Sequence, residues 1–181
     1  MNFIKAEIEG LWIIEPILRE DARGYFMETY KKSELEKHNV KVNFIQENES
    51  KSSFGVLRGL HYQEGEAAQA KLVRVIEGKV LDVVVDIRKN SPTFGQYQMV
   101  ELTAQNKRQF FIPRGFAHGF LVLSKTAVFS YKVDNVYAPD AERTIYCLDQ
   151  DLNIPWPLDQ SQLLLSEKDK KGKLFKEISI I

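Results

Sequence analysis

The chain has 181 residues, 44% of them hydrophobic and 28% charged, a composition that suits one globular domain over residues 1–181 and argues against disorder or a membrane span. Lysine plus arginine equals aspartate plus glutamate at 25 each, so no global basic field favours nucleic acid, and any anion site must be local. Charges at Lys5, Glu7 and Glu9 interrupt the start too early for a signal peptide, and the single Cys147 can form no intrachain disulfide, so a cytoplasmic location is expected.

In chain order, residues 11–14, 42–45, 72–76, 80–87, 110–112, 116–123 and 127–133 are short segments rich in β-branched and aromatic side chains with turn formers between them, which predicts strands. Short strands without long intervening helices point to an antiparallel sandwich or barrel. One helix is expected over residues 31–38, with Ser33 and Glu36 spaced as a capping box, and a second short one over residues 166–171. Pro139, Pro155 and Pro157 mark an irregular C-terminal third that should wrap the outside, ending in a solvated Lys- and Glu-rich surface.

The stretch Arg58-Gly59-Leu60-His61-Tyr62-Gln63 carries the first chemistry. Histidine can take and return a proton near neutral pH, and arginine offers a planar fork of donors to an anion, so the pair suggests acid-base work on an anionic substrate. Strict alternation would put Arg58 and His61 on opposite faces of a strand, so a bulge, plausibly at Gly59, must re-aim one of them. In the strand that follows Gly78, Asp82 and Asp86 share one face with Val80 and Val84, which favours a polar barrel interior over a charged outer surface. Lys71, entering the apolar run Leu72-Val73, would supply positive charge to a substrate oxygen if it points inward and would be ordinary surface if it points outward. In Ile112-Pro113-Arg114-Gly115-Phe116-Ala117-His118-Gly119-Phe120, His118 sits between two small residues with little steric cover, as ligand access would require.

Strand-borne histidines in small β-barrels often hold a metal, but that arrangement needs closely spaced ligands. No second histidine lies near His61 in sequence and His38 falls in the expected helix, so the site reads as metal-free acid-base chemistry. No local signature marks Cys147 as a nucleophile.

An ordered set of motifs then resembles one family. The set comprises Asp21-Ala22-Arg23-Gly24-Tyr25-Phe26-Met27-Glu28, Gln46-Glu47-Asn48, Gly55 to Gln63, Lys71-Leu72-Val73, Asp82 to Arg88, Ser91-Pro92-Thr93-Phe94-Gly95, Pro113 to Phe120, Tyr131-Lys132, Trp156-Pro157 and Leu165-Ser166-Glu167-Lys168-Asp169. It is similar to dTDP-4-dehydrorhamnose 3,5-epimerases over nearly the whole chain. The resemblance implies a mainly β, cupin-type jelly-roll barrel or sandwich with a few short helices, no metal, no cofactor and a homodimer acting on a nucleotide-linked sugar, dTDP-4-dehydro-6-deoxy-D-glucose. One position departs: Arg19, two residues before Asp21, stands where the family often has Phe.

By the same resemblance His61 is the base, Asp169 its orienting carboxylate, Tyr131 the acid on the other face, and Lys71 the group that steadies the enolate oxygen. Arg23, Glu28, Gln46, Asn48, Arg58, His118, Glu142 and Lys168 match substrate contacts, and Tyr137 matches the aromatic that stacks on thymine. Part of the segment around Arg23 and Glu28 would reach the neighbouring subunit's site. The alternatives are a 3-epimerase or a ketoisomerase working on another nucleotide-linked 4-keto sugar, a non-catalytic sugar-binding cupin, and a metal-dependent cupin oxygenase.

Overall fold

A computed structural model of the chain describes residues 1–178. In order, its elements are β1 (Asn2–Lys5), β2 (Trp12–Glu15), β3 (Arg19–Asp21), β4 (Gly24–Phe26), α1 (Lys32–Lys37), β5 (Gln46–Ser53), β6 (Leu57–Gln63), β7 (Lys71–Glu77), β8 (Lys79–Asp86), β9 (Tyr97–Thr103), β10 (Gln109–Ile112), β11 (Phe116–Val122), β12 (Thr126–Val133), β13 (Glu142–Thr144) and α2 (Glu167–Lys170). Two open antiparallel sheets carry the fold, a six-stranded one ordered β1-β2-β10-β7-β12-β5 and a five-stranded one ordered β13-β6-β11-β8-β9. A separate hairpin pairs β3 with β4.

Three apolar layers hold these sheets in place. Between them lie Val73 and Val75 of β7, Val80 and Val84 of β8, Phe110 and Ile112 of β10, Phe120 of β11 and Phe129 of β12. Outside the five-stranded sheet, Leu57, Leu60, Val83, Val85 and Leu121 are covered by Ile145, Cys147, Leu152, Ile154 and Trp156 of the C-terminal third. Outside the six-stranded sheet, Ile14, Leu72 and Phe111 are covered by Leu35 of α1 and by Val40. Strand β8 is thus buried on both faces, which is why its sequence reads as an almost unbroken valine run. The C-terminal third does wrap the outside as expected, and burial there pushes the Cys147 thiol up to about 12, far from nucleophilic.

The parity conflict in β6 is resolved by an irregularity opposite Gly119. His61 pairs with His118 and Arg58 with Phe120, so β6 spends two intervening residues where β11 spends one. The extra residue turns Arg58, His61 and Gln63 toward the space between the sheets and leaves Leu57, Leu60 and Tyr62 in the outer layer. Only glycines fit there: Gly59 has φ +131°, and a Cβ on it would stand 2.6 Å from the Gly119 Cα.

Two local expectations need correction. Residues 42–45 form no strand; Val42 and Phe44 pack beside α1, and the strand begins at Gln46. That strand, QENESKSS, is polar because it lies at the sheet edge with β12 as its single partner, so tertiary pairing overrides composition. The helix near residue 33 exists, but its N-cap is Lys31 with no side-chain cap, so Ser33 lies inside α1 and the capping box does not form.

Candidate active site

The site occupies one end of the space between the sheets. A cavity of about 300 Å³ is lined by Gln46 and Asn48 of β5, His61 and Gln63 of β6, Lys71 of β7, Tyr131 of β12, Tyr137 and Glu142. A deeper pocket of about 140 Å³ shares His61, Lys71 and Tyr131 and adds Arg58 and His118. The central histidine and tyrosine come from different sheets: His61 stands on the five-stranded wall and Tyr131 on the six-stranded wall.

His61 is held through its Nε2, 2.5 Å from Asp169 Oδ1. Asp169 is only 3% exposed, and its other oxygen accepts from Ser166 Oγ at 2.7 Å. Ser166 is also the N-cap of α2, accepting from the Asp169 backbone N–H, so one short helix both presents the carboxylate and fixes its rotamer. Burial alone would raise the Asp169 carboxyl, but the bonds from His61 and Ser166 outweigh it and hold the group below the usual range.

Lys71, at the first position of β7, faces inward, which settles the two orientations left open by sequence. Desolvation pushes its ammonium down to about 8, against the pull of Asp82 and Glu142. Burial pushes the Tyr131 phenol up, and Arg58 and Asn48 oppose it without prevailing, so it remains a protonated donor at neutral pH. Arg58 is anchored by Ser52 Oγ at 3.1 Å. At the mouth, Glu142 Oε2 accepts from the Tyr137 hydroxyl at 2.7 Å and pairs with Lys168 Nζ at 2.5 Å.

His118 departs from its expected environment. It is buried at 7% exposure, with Nε2 2.9 Å from Asp82 Oδ2 and its ring stacked on Phe129, so it has cover after all while still touching the deep pocket. Asp82 and Asp86 both point away from solvent, as strand patterning favoured. Asp86, however, belongs to a separate cluster with Arg88, Ser91 and Thr93.

Arg23 and Glu28 are not brought to the cavity. Arg23, its side chain 89% exposed, pairs with Asp21 of its own hairpin, and Glu28 lies beside Lys31. Sequence reading also passed over Gln63, whose signal was its position two residues after His61 on the same strand face, and Ser166, whose signal was its spacing of three before Asp169. Gln63 fastens the segment bearing Tyr137, donating to Ala67 O and Val136 O and accepting from the Ala138 N–H. Among the described residues, no group of three or more His, Cys, Asp or Glu side chains is placed to hold a metal ion. Likewise, no helix among them is long and apolar enough to cross a membrane.

Known proteins of one family match nearly the whole chain. The family model described as dTDP-4-dehydrorhamnose 3,5-epimerase matches residues 5–177. The chain belongs to this family. A Shigella flexneri dTDP-4-dehydrorhamnose 3,5-epimerase is 52% identical over 176 residues, covering 97% of this chain and 96% of that protein. The crystal structure of the Elizabethkingia anophelis enzyme of the same name superposes with a TM-score of 0.93 at 52% identity, over 97% of both chains. A Legionella pneumophila dTDP-6-deoxy-D-glucose-3,5-epimerase, solved in complex with dTDP-4-keto-L-rhamnose, gives a TM-score of 0.94 at 49% identity, covering 98% of this chain and 94% of that one. Family membership makes the protein an isomerase-class nucleotide-sugar enzyme, with the cupin-type jelly roll expected of it.

Proposed function

We propose that the cavity between the sheets binds dTDP-4-dehydro-6-deoxy-D-glucose and inverts carbons 3 and 5, giving dTDP-4-dehydro-L-rhamnose for deoxysugar biosynthesis. The observation that carries this reading is the placement of His61 and Tyr131 on opposing sheets of one cavity, with Lys71 lining the same cavity from the strand next to that of Tyr131. Inversion of a carbon demands that a proton leave one face and another arrive at the opposite face, and two groups on facing walls meet that demand.

The 4-keto group acidifies the protons on both neighbouring carbons, so no redox step is required. With its Nε2 proton held by Asp169, His61 accepts the substrate proton on Nδ1, and the imidazolium so formed is stabilised by the buried carboxylate. The electron pair left on carbon delocalises to the carbonyl oxygen, where the Lys71 ammonium meets the developing charge. Tyr131 then delivers its phenolic proton to the other face, and Arg58 steadies the phenolate. Exchange with water restores both groups before the second centre reacts. Arg58 serves the diphosphate, Gln46, Asn48, His118, Glu142 and Lys168 make polar contacts to the nucleotide sugar, and Tyr137, exposed at the mouth, offers a face for thymine.

Arg23 and Glu28 contribute from a second copy of the chain. The β3–β4 hairpin supports this: Tyr25 and Phe26 are exposed aromatics on an element paired with neither main sheet, and the Arg23 guanidinium reaches nothing in its own cavity. Mixing the inactive variants Arg23→Ala and His61→Ala under subunit exchange should restore part of the turnover, since one of the mixed sites is then intact. No recovery in a demonstrably mixed dimer would put both residues in one subunit's site.

The test of the reaction itself is Tyr131→Phe assayed in deuterated water. Label should still enter through His61, while inversion, above all at carbon 5, falls by roughly 10²–10⁴-fold, the range for a lost general acid. Normal double inversion would remove Tyr131 from its role. A wild-type product inverted only at carbon 3 would make the protein a 3-epimerase.

A further inference from the structure

Behind the pocket wall lies a charge that the mechanism above does not use. Asp82 is fully buried on β8, between Val80 and Val84 on the face that packs against Phe120 and Phe129. Its Oδ2 is 2.9 Å from His118 Nε2. Its Oδ1 has no partner, and it is the only buried side-chain polar atom among the described residues left so. A half-satisfied carboxylate in a hydrophobic layer is costly, and such an exception calls for an explanation.

Stability gives none, because an apolar residue would fill the layer at lower cost. The surroundings do. Lys71 forms no ion pair with any carboxylate among the described residues, and of the charges acting on it Asp82 pulls most strongly toward the protonated form. The other groups facing Lys71 are Glu142 from β13, which pulls the same way, and Lys168 from α2, which opposes. His61 and Arg58 of β6, His118 of β11 and Tyr131 of β12 share the pocket with it. The cavity therefore holds an unpaired ammonium and, one layer back, an unpaired carboxylate oxygen.

We propose that Asp82 is a positioning residue for the epimerisation: it fixes the His118 ring through Nε2 and supplies the buried counter-charge that keeps Lys71 an ammonium, without neutralising it by direct contact. The distance matters. A carboxylate in contact with Lys71 would compete with the enolate oxygen for the same charge, whereas one held behind His118 sustains the ammonium and leaves its face free for substrate. This inference rests on the proposed role of Lys71.

Asp82→Asn keeps the shape and an oxygen acceptor for His118 while removing the charge. Lys71 should then lose its proton at lower pH, so the alkaline limb of the kcat/KM profile, near pH 8 in the parent protein, moves about one unit toward acid. At pH 9, above both values, kcat should fall nearly tenfold with KM changing less than about threefold, a split expected of a group acting on the transition state. Side-chain ammonium NMR of Lys71 in both proteins gives a reading independent of turnover. A Lys71 titration that stays put in Asp82→Asn overturns the proposal even if the enzyme epimerises as described. A titration that moves in a protein inactive on the dTDP sugar upholds it while the substrate reading fails. Should Asp82→Asn not fold, Asp82→Ser removes the same charge in a smaller side chain: the Lys71 titration should again move toward acid, and an unmoved Lys71 would overturn the idea.

Discussion

Two histidines stand directly across from each other on neighbouring strands of one sheet, each paired with an aspartate from another element, and the two pairs are built to opposite ends. In the His61–Asp169 pair both carboxylate oxygens are satisfied, by the imidazole and by Ser166, and the histidine side chain remains 26% exposed to the cavity. In the His118–Asp82 pair one carboxylate oxygen is bare, the aspartate is fully buried and the histidine side chain is only 8% exposed. Burial holds the His118 imidazole below its ordinary range despite the adjacent carboxylate, and the nearby Lys71 and His61 push the same way, so it stays neutral. A histidine–carboxylate contact is thus not by itself a proton-transfer unit. It becomes one where a substrate can reach the ring and where the carboxylate is already stabilised as an anion.

The hardest test of the contrast is removal of each ring. His61→Ala should abolish deuterium incorporation at both carbons, a loss at or beyond the ~10⁴-fold upper range for a general base. His118→Ala, which removes a ring on the pocket wall that the proposed reaction uses only for binding, should retain exchange. Retained exchange in a folded His61→Ala protein would break the division of labour between the pairs.

The next largest effect belongs to the carboxylate. Asp169→Asn leaves a hydrogen-bonding side chain but removes the charge proposed to stabilise the imidazolium, so kcat should fall ~10²–10³-fold with substrate binding nearly unchanged. Weakened binding at unchanged turnover, read by single-turnover kinetics, would make Asp169 a substrate contact instead.

How much of this contrast sequence could reveal depends on the range of each interaction. Strands with alternating or continuous apolar residues, such as β8 and β12, were legible because their packing is written into their own side chains. Strand β5 was not, because its polar residues form a strand only once β12 lies beside it. The need for a bulge at Gly59 followed from the parity of Arg58 and His61, and the structure supplies it through the approach of Gly119 from another strand. His61 and Lys71 stand out in sequence by their own chemistry and Tyr131 through the family resemblance, and the three meet in one cavity. The environment of His118 was misjudged because its neighbours in sequence are small, whereas its cover comes from Phe129 and Asp82 on other strands. Arg23 and Glu28 carry no geometric support within one chain.

A third buried aspartate sharpens the comparison through stability. Asp86 lies on the same strand and face as Asp82, but bonds from Arg88, Ser91 and Thr93 satisfy it on both oxygens. Burial would raise its carboxyl, yet those bonds win and lower it to about 2. A depressed carboxylate contributes stability that is present above the unfolded value and is lost as pH falls through the folded one. For Asp86 that window runs from about pH 4 down to about 2, and the contribution is on the order of 2 kcal/mol. Urea unfolding of Asp86→Asn should therefore show a loss near that size at pH 7 and little difference from the parent near pH 2. An equal loss at both would mean that packing, not charge, makes the contribution.

The smallest expected effect probes what completes the His61–Asp169 pair. Ser166→Ala removes two bonds at once, the cap on the Asp169 backbone N–H and the donor to Asp169 Oδ2. The lost cap should cost about 1 kcal/mol of stability. The lost donor leaves a buried carboxylate with one oxygen bare, which is the condition of Asp82. If that difference separates the two pairs, the Asp169 carboxyl should rise toward the usual range, and the acid limb of the kcat/KM profile should move to higher pH while the alkaline limb stays in place. Turnover at neutral pH should fall only a few fold, because His61 still meets the charge. A variant that loses the stability but keeps its acid limb would show that Ser166 only caps α2 and that access, not carboxylate satisfaction, distinguishes the two pairs.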